Sequence, residues 1–323
     1  MKALSIFSGG LDSILASELV RNQGIDVLAI FFETPFFNSR KARESALSMK
    51  LPFKIVNITE RHLEIVKRPK HGYGGNMNPC IDCHALMFRI AGEMLEAEGA
   101  SFLLTGEVLG QRPMSQNRKS LDLIDAESGI GGLLLRPLSA RHLAPTLPEE
   151  EGWVKRDLLM DFQGRSRKPQ MELARRLNIE KYPSPGGGCL LTEKAFSKRL
   201  KDLFFHRTNT ETREIELLKL GRHFRISGNT KLVVGRNRKE NEAIRALSGE
   251  RDLILSCISV PGPSVLAPGG ISDTSLDLAA AITAAYSDAG DNREADIKVA
   301  GRGEDKVLRV GLRDKEEFRC YMI

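Results

Sequence analysis

A short apolar run, Ala3-Leu4-Ser5-Ile6-Phe7, leads directly into Ser8-Gly9-Gly10-Leu11-Asp12-Ser13 and then into a helical pattern at Ile14, Leu15, Leu19 and Val20. This passage constrains the fold most, because it demands a strand, a tight turn and a helix N-terminus in immediate succession. Gly9 and Gly10 carry no Cβ, so backbone N–H groups can close on an anion there. Ser8 and Ser13 add hydroxyl donors, and the positive end of the helix dipole points at the same spot. An ordinary strand-to-helix turn uses similar residues. Two features favour a phosphate site instead: the turn opens an α/β pattern, and every residue in it except Leu11 is small or a donor.

The pattern continues in kind. Asp26 to Phe32 reads as a second buried parallel strand, Arg40 to Met49 as a helix and Phe53 to Ile58 as a third strand. Leu103-Leu104-Thr105-Gly106-Glu107 is a fourth strand with its exit loop, and Gly131 to Leu138 is a further apolar strand. Lys155 to Phe162 and Gln170 to Leu177 have helical composition. Repeated strand–helix–strand units predict a doubly wound parallel sheet, whose ligands sit beyond the carboxyl ends of the strands.

Cysteines supply the next constraint. Pro79-Cys80-Ile81-Asp82-Cys83-His84 opens a helix that runs through Leu95. The spacing admits a c-type haem site, a thioredoxin-like redox pair, a zinc site or an iron–sulfur cluster held by three thiolates. Haem attachment requires export, and Met1-Lys2 followed at once by a strand carries no signal-peptide pattern. A redox pair needs a βαβ context of its own. For zinc, Cys80, Cys83 and Cys189 supply three ligands, with His84 as a candidate fourth. Two buried or incidental cysteines are the plain alternative. The third cysteine lies in Tyr182 to Thr192, where Pro183, Pro185 and Gly186-Gly187-Gly188 force an exposed, unusual path and present Cys189 at its tip.

The 323 residues suffice for two domains with sizeable cores, and 41% apolar with 28% charged residues are globular proportions. No apolar run is long enough to span a bilayer. Five cysteines in such a chain are not a disulfide framework, so a cytoplasmic location without membrane attachment is expected. The net charge of +6 is uneven: Lys194 to Arg245 holds 14 Lys/Arg against 6 Asp/Glu. Such a surface suits a polyanion, or is simply a set of solvated helix faces. Composition shifts after Lys194, and the domain boundary is expected near Phe205. Beyond it come a hairpin over Phe224 to Asn237, a helix over Lys239 to Leu247 and a strand over Asp252 to Ile258. A Pro/Gly loop over Pro261 to Gly270, a helix over Asp277 to Ser287 and two closing strands from Ile297 complete the chain. Cys257, in a strand, reads as packing.

Ser8 to Ser13 resembles the SGGxDS loop of the PP-loop ATP pyrophosphatases, which split ATP into AMP and pyrophosphate. It is not a Walker loop, since no lysine follows the glycines. Thr105-Gly106-Glu107 with Gly110-Gln111 and Ser115-Gln116 is similar to the nucleotide-side motif of the tRNA 4-thiouridine synthetases, and Gly188-Cys189-Leu190-Leu191-Thr192 with its preceding glycines to their cysteine segment. The second half is similar to the RNA-binding domain of the NFACT family, through the Gly228 to Asn241 hairpin and Pro261-Gly262-Pro263.

The resemblance implies an adenine nucleotide α-hydrolase-like domain over residues 1–205 and a smaller α+β RNA-binding domain over 206–323. ATP would sit on Ser8, Gly9, Gly10, Leu11, Asp12 and Ser13, with Asp12 as a Mg²⁺ ligand or proton acceptor. Backbone groups around Phe31 would meet adenine, and Gly106 would let a strand end approach AMP. The implied reaction is sulfuration of a tRNA uracil: adenylation of a carbonyl oxygen, then displacement of AMP by sulfur. Cys80, Cys83 and Cys189 would hold a [4Fe-4S] cluster whose open iron binds sulfide. In a metal-free version Cys189 carries a persulfide that a Cys-x-x-Cys thiol resolves. The N-terminal RNA-binding module and C-terminal rhodanese-like domain of the better-known synthetases have no counterpart in this sequence, so the sulfur donor, free sulfide or a cysteine desulfurase, stays open. A PP-loop enzyme with an amine nucleophile and an RNA-binding protein with a vestigial nucleotide site are the other two classes.

Overall fold

The computed structural model describes residues 1–184, 189–290, 293–301 and 305–323; the glycines expected to shape the path to Cys189 lie outside them. The chain divides into two compact units, Met1–Thr192 and Glu193–Ile323. The division falls before the expected boundary near Phe205, for a physical reason. A cut there would split the helix Lys194–His206, whose Arg199 donates to the carbonyls of Leu218 and Gly221 and whose Asp202 pairs with Arg225.

In the first unit β1 (Lys2–Ile6), β2 (Asp26–Glu33), β3 (Phe53–Asn57), β4 (Phe102–Thr105) and β5 (Leu134–Leu135) form one sheet in the order β3-β2-β1-β4-β5. Every pairing is parallel, so the doubly wound expectation holds. Helices α1 (Leu11–Arg21), α2 (Arg40–Ser48), α3 (Thr59–Lys67), α4 (Cys80–Glu93), α5 (Arg118–Ser128), the short α6 (Leu147–Glu150) and α7 (Lys168–Arg176) connect and cover it. One face buries Ala3, Ala29, Phe31 and Leu104 with α1 residues, and the other buries Leu4, Leu28, Ile30 and Leu103 with Leu86 and Phe88 of α4. The strand order reverses direction between β1 and β4, which opens the crevice where such sheets bind ligands.

Lys155 to Phe162 is not the helix its composition suggests; only Arg156–Leu158 forms a 3-10 turn. Met160 and Phe162 donate to the carbonyls of Pro137 and Leu138, and Arg141 donates to that of Met160. Long-range backbone pairing with the segment after β5 outweighs local helix propensity.

The second unit comprises α8 (Lys194–His206), α9 (Thr212–Leu217), α10 (Arg238–Ala246), α11 (Asp273–Ala285) and an antiparallel sheet. Its strands β6 (Arg222–Arg225), β7 (Lys231–Val234), β8 (Leu253–Cys257), β9 (Val265–Ala267), β10 (Glu294–Ala300) and β11 (Lys306–Gly311) lie in the order β11-β10-β8-β9-β7-β6. The expected β6–β7 hairpin is present. The loop expected over Pro261 to Gly270 instead carries β9, fully buried between β7 and β8. Three apolar residues between prolines are too short a periodic signal to announce a central strand. Alternation along β7 sends Leu232 and Val234 to the α11 side and Val233 to Ile244 of α10. Among the described residues no helix is long and apolar enough to cross a membrane.

Candidate functional site

The loop after β1 is shaped by what its glycines omit. Gly9 has φ +75°, and a Cβ there would stand 2.6 Å from the Cα of Ala42. Its carbonyl accepts a 2.9 Å bond from Ser45 Oγ, which ties α2 to the loop. Gly10 is the extended N-cap residue of α1 and offers no capping side chain, so the first-turn N–H groups stay available to a ligand. Ser13 Oγ donates to the Gly10 carbonyl at 2.9 Å, and Ser8 Oγ to Ser13 Oγ at 3.3 Å. Leu11 is a core residue, 1% exposed, so only its backbone can serve a nucleotide.

Gly106 packs on the loop itself. A Cβ on Gly106 would lie 2.5 Å from both the Asp12 carbonyl carbon and the Ser13 nitrogen. The absent side chain lets the exit of β4 press against the start of α1. Phe31 likewise is a core side chain, edge-on to Phe37 at 6.3 Å, leaving its strand backbone as the group able to meet a base.

Asp12 stands beside this junction. Gln111 Nε2 donates to its Oδ2 at 3.2 Å, while Oδ1 is buried with no hydrogen-bond partner among the described residues. Burial pushes its carboxyl up, against the lowering influence of Gln111 and the positive charges of Arg167 and Arg112. Gln170 of α7 is fully buried near Asp12 and adds a smaller lowering influence on its carboxyl. A carboxylate with an orphaned oxygen next to a phosphate cradle suits Mg²⁺, which takes one or two carboxylates and completes its shell with phosphates and water. Gln170 and Arg167 were not legible as site residues; only their cluster of cation and amide after a basic loop hinted at an anion.

Two of the cysteines open a helix. Cys80 and Cys83 occupy the first turn of α4, where Asn78 Nδ2 donates to Cys80 Sγ at 3.2 Å. Cys83 Sγ lies 3.3 Å from Nε2 of His62, a residue of α3 that composition gave no reason to select. Burial drives the Cys83 thiol well up, and the sulfurs of Cys189 and Cys80 and the Asp82 carboxylate add to the shift. Thiols from two distant segments therefore share one electrostatic neighbourhood. Around them Leu190 N–H approaches the Phe36 carbonyl at 3.5 Å and Asn76 Nδ2 donates to Thr192 O at 2.8 Å. None of the five cysteines forms a disulfide. No group of three His, Cys, Asp or Glu side chains among the described residues is gathered to hold a single metal ion. The sulfurs of Cys189 and Cys80 both raise the cost of ionising Cys83; thiolates are the ligands an iron–sulfur cluster uses, and a cation bound there would favour the deprotonated form.

His84 is not turned to that cluster. Its Nδ1 bonds Glu107 Oε1 at 2.7 Å, and Glu107 Oε2 accepts from Arg136 Nε at 2.9 Å. Arg136 then meets Asp125 through two bonds of 2.7 and 2.8 Å. Burial pushes Glu107 up, but the charge of Arg136 and the His84 bond outweigh it and hold the carboxyl below the usual range. The relay clamps α4 and α5 to the exits of β4 and β5.

In the second unit much of the basic run is internally neutralised. Arg225 and Lys231 face Asp202, Arg213 faces Asp252, Arg236 faces Glu240, and Arg238 faces Glu242.

Residues 1–142 match the family model described as thiamine biosynthesis protein (ThiI), and residues 221–322 match that of the NFACT protein RNA binding domain. A probable tRNA sulfurtransferase of Thermoanaerobacter sp. (strain X514) is 28% identical over 148 residues, covering 42% of this chain and 36% of that protein. A probable tRNA sulfurtransferase of Ureaplasma parvum serovar 3 (strain ATCC 27815 / 27 / NCTC 11736) is 32% identical over 150 residues, covering 43% and 37% respectively. The chain thus spans little more than a third of the length of these curated relatives. Among solved structures, a 4-thiouridine synthetase–RNA complex with bound ATP is similar over 55% of this chain and 51% of that one, at 24% identity and a TM-score of 0.37.

Proposed function

The chain joins a ThiI-type domain to an NFACT-type RNA-binding domain, and from that premise we propose that it is an ATP-dependent tRNA sulfurtransferase. The first unit binds ATP on Ser8 to Ser13, and Asp12 would hold the Mg²⁺ that accompanies it and offset phosphate charge. A uracil carbonyl oxygen attacks the α-phosphate, pyrophosphate leaves, and the first-turn N–H groups of α1 offset the developing charge. A sulfur nucleophile then attacks the activated ring carbon, and AMP departs with the former uracil oxygen. Water at that carbon would only restore uracil, so a buried site serves the reaction.

What supports this reading is that Cys80 and Cys83 share the first turn of α4 and that the Cys189 sulfur, from a distant segment, adds to the upward push on the Cys83 thiol. Those three residues would hold a [4Fe-4S] cluster, which when bound supplies a Lewis-acidic iron able to keep a sulfur nucleophile deprotonated. His62 would orient Cys83, and Asn78 Nδ2 would donate to the Cys80 sulfur. The same proximity serves a metal-free route in which a persulfide on Cys189 is resolved by a thiol of the Cys-x-x-Cys pair. The sulfur comes from free sulfide in the cluster route and from the persulfide of a cysteine desulfurase in the metal-free route, and the thiols call for the reducing cytoplasm.

Anaerobic purification with iron, sulfide and zinc analysis, combined with tRNA-dependent pyrophosphate release and thiouridine formation, tests the reading. The expected result is iron and sulfide bound, and thiolation lost in Cys80→Ala and Cys189→Ala with pyrophosphate release retained. Thiolation by a metal-free wild-type chain selects the persulfide route. Absence of tRNA-dependent pyrophosphate release rejects both.

A further inference from the structure

Between the C-terminal end of α8, helix α9, the β6–β7 hairpin and the Pro268-Gly269 turn, the second unit contains a cavity of about 250 Å³. Leu203, Leu217 and Val233 give it an apolar wall, while Arg207, Arg225 and Lys231 bring cations to it. Lys231 is 8% exposed, and its Nζ meets the Asp202 carboxylate at 3.2 Å without hydrogen-bond geometry. That carboxylate is already occupied by Arg225, which donates to both oxygens at 2.6 and 3.0 Å. Arg207 reaches Glu214 only at 3.7 Å. Three cations therefore share two carboxylates, and Arg199 adds its charge toward Lys231. Burial lowers Lys231 to about 8, as expected for an ammonium short of compensation.

A buried ammonium that shares its carboxylate with Arg225, and the half-exposed Arg207 beside the same empty volume, are the inverse image of an anion. The apolar wall and the size point to more than inorganic phosphate and to less than a helical stretch of RNA. His223 is fully buried and spends Nε2–H on the Leu220 carbonyl at 2.9 Å, with the Leu217 carbonyl also acting on its ring. Phe205, which directly precedes the lining residues His206 and Arg207, is 85% exposed, a ring on which a neighbouring base can stack.

We propose that this cavity binds one phosphorylated nucleotide, either the terminal nucleotide of an RNA strand or a free nucleoside monophosphate. Its phosphate meets Lys231 and Arg207, and its ribose lies against the apolar wall. For RNA as the source, the inference rests on the tRNA-binding reading above; for a free nucleotide it does not.

The test uses the full chain and fluorescent single-stranded oligoribonucleotides with a 5′-phosphate, a 3′-phosphate or only hydroxyl ends, with AMP as competitor. One phosphorylated end should bind about 10- to 100-fold more tightly than the hydroxyl end, the range of a charge-assisted contact. Lys231→Gln and Arg207→Gln should each erase that preference, and Arg207 is half-exposed, so its variant keeps the fold if the buried one does not. Competition by AMP in the wild-type chain that both variants lose assigns the site to free nucleotide as well. No end preference together with AMP binding unchanged in the variants overturns the proposal, as does a preference that survives Arg207→Gln. Pyrophosphate release is measured in parallel: its absence in the wild-type chain rejects the sulfurtransferase reading and leaves the cavity result standing.

Discussion

His62 Nε2 and Cys83 Sγ lie 3.3 Å apart, each carried by a different helix, α3 and α4, and the His62 ring is wedged between Phe36 and Phe37 at centroid distances of 5.5 and 5.4 Å. Burial lowers His62 to about 4 and pushes the Cys83 thiol up, so at neutral pH an uncharged ring and a protonated thiol share the hydrogen bond. The pair is held in its least reactive state, and a cation at the sulfurs is what would reverse it.

This pair makes stability depend on pH. His62 is depressed in the folded chain from 6.5 to about 4, so the unfolded chain takes up the proton first. Its contribution is complete above pH 6.5 and is lost as the pH falls toward 4, about 3 kcal/mol in all. Denaturant unfolding of the first unit, followed across that range, should show this slope in the wild-type chain and a flatter one in His62→Gln.

Gly106→Ala should displace the phosphate loop. The added methyl would meet backbone atoms of Asp12 and Ser13 at 2.5 Å, and neither can swing aside as a side-chain tip would. Overpacking of this kind destabilises by about 1–3 kcal/mol, and a shift of the loop by an ångström lowers the rate by about 100-fold. Steady-state pyrophosphate release, with the melting temperature of the same variant, separates the two effects.

Asp12→Asn keeps the shape and the Gln111 contact while removing the charge that would hold Mg²⁺. Pyrophosphate release should fall by about 100- to 1000-fold, the scale of losing one electrostatic element of a transition state. RNA affinity of the second unit should not change. An Asp12→Asn chain that releases pyrophosphate at the wild-type rate contradicts the Mg²⁺ assignment.

The His84–Glu107–Arg136 relay predicts a structural penalty. Glu107 and Arg136 are 4% and 5% exposed, so Glu107→Leu leaves the buried guanidinium with Asp125 alone and its Nε–H unpaired, and should cost about 1–3 kcal/mol. Glu107→Leu with Arg136→Leu should cost less than the sum of the single changes, because the second removes the half-paired charge. Unfolding midpoints of the three variants supply the cycle.

The local chemistry of the chain alone determined the Ser8 to Ser13 turn, the parallel strands that lead to it and the start of α4 at Cys80, because glycine sterics, β-branched runs and helix caps act within a few residues. The β6–β7 hairpin was legible for the same reason, through Gly228-Asn229 between alternating strands. Tertiary structure decided what depends on distant segments. It turned Lys155 to Phe162 into a strap paired with Pro137 to Arg141, drew β9 out of a proline-rich stretch, and kept α8 with the second unit through Asp202 and Arg225. It also let the Cys189 sulfur act on the charge of Cys83, set His62 on that thiol, placed Gln170 near Asp12 and turned His84 to Glu107. Such contacts pair residues tens to a hundred positions apart, and their energy comes from burial and charge in a packed interior, to which no short window of sequence has access.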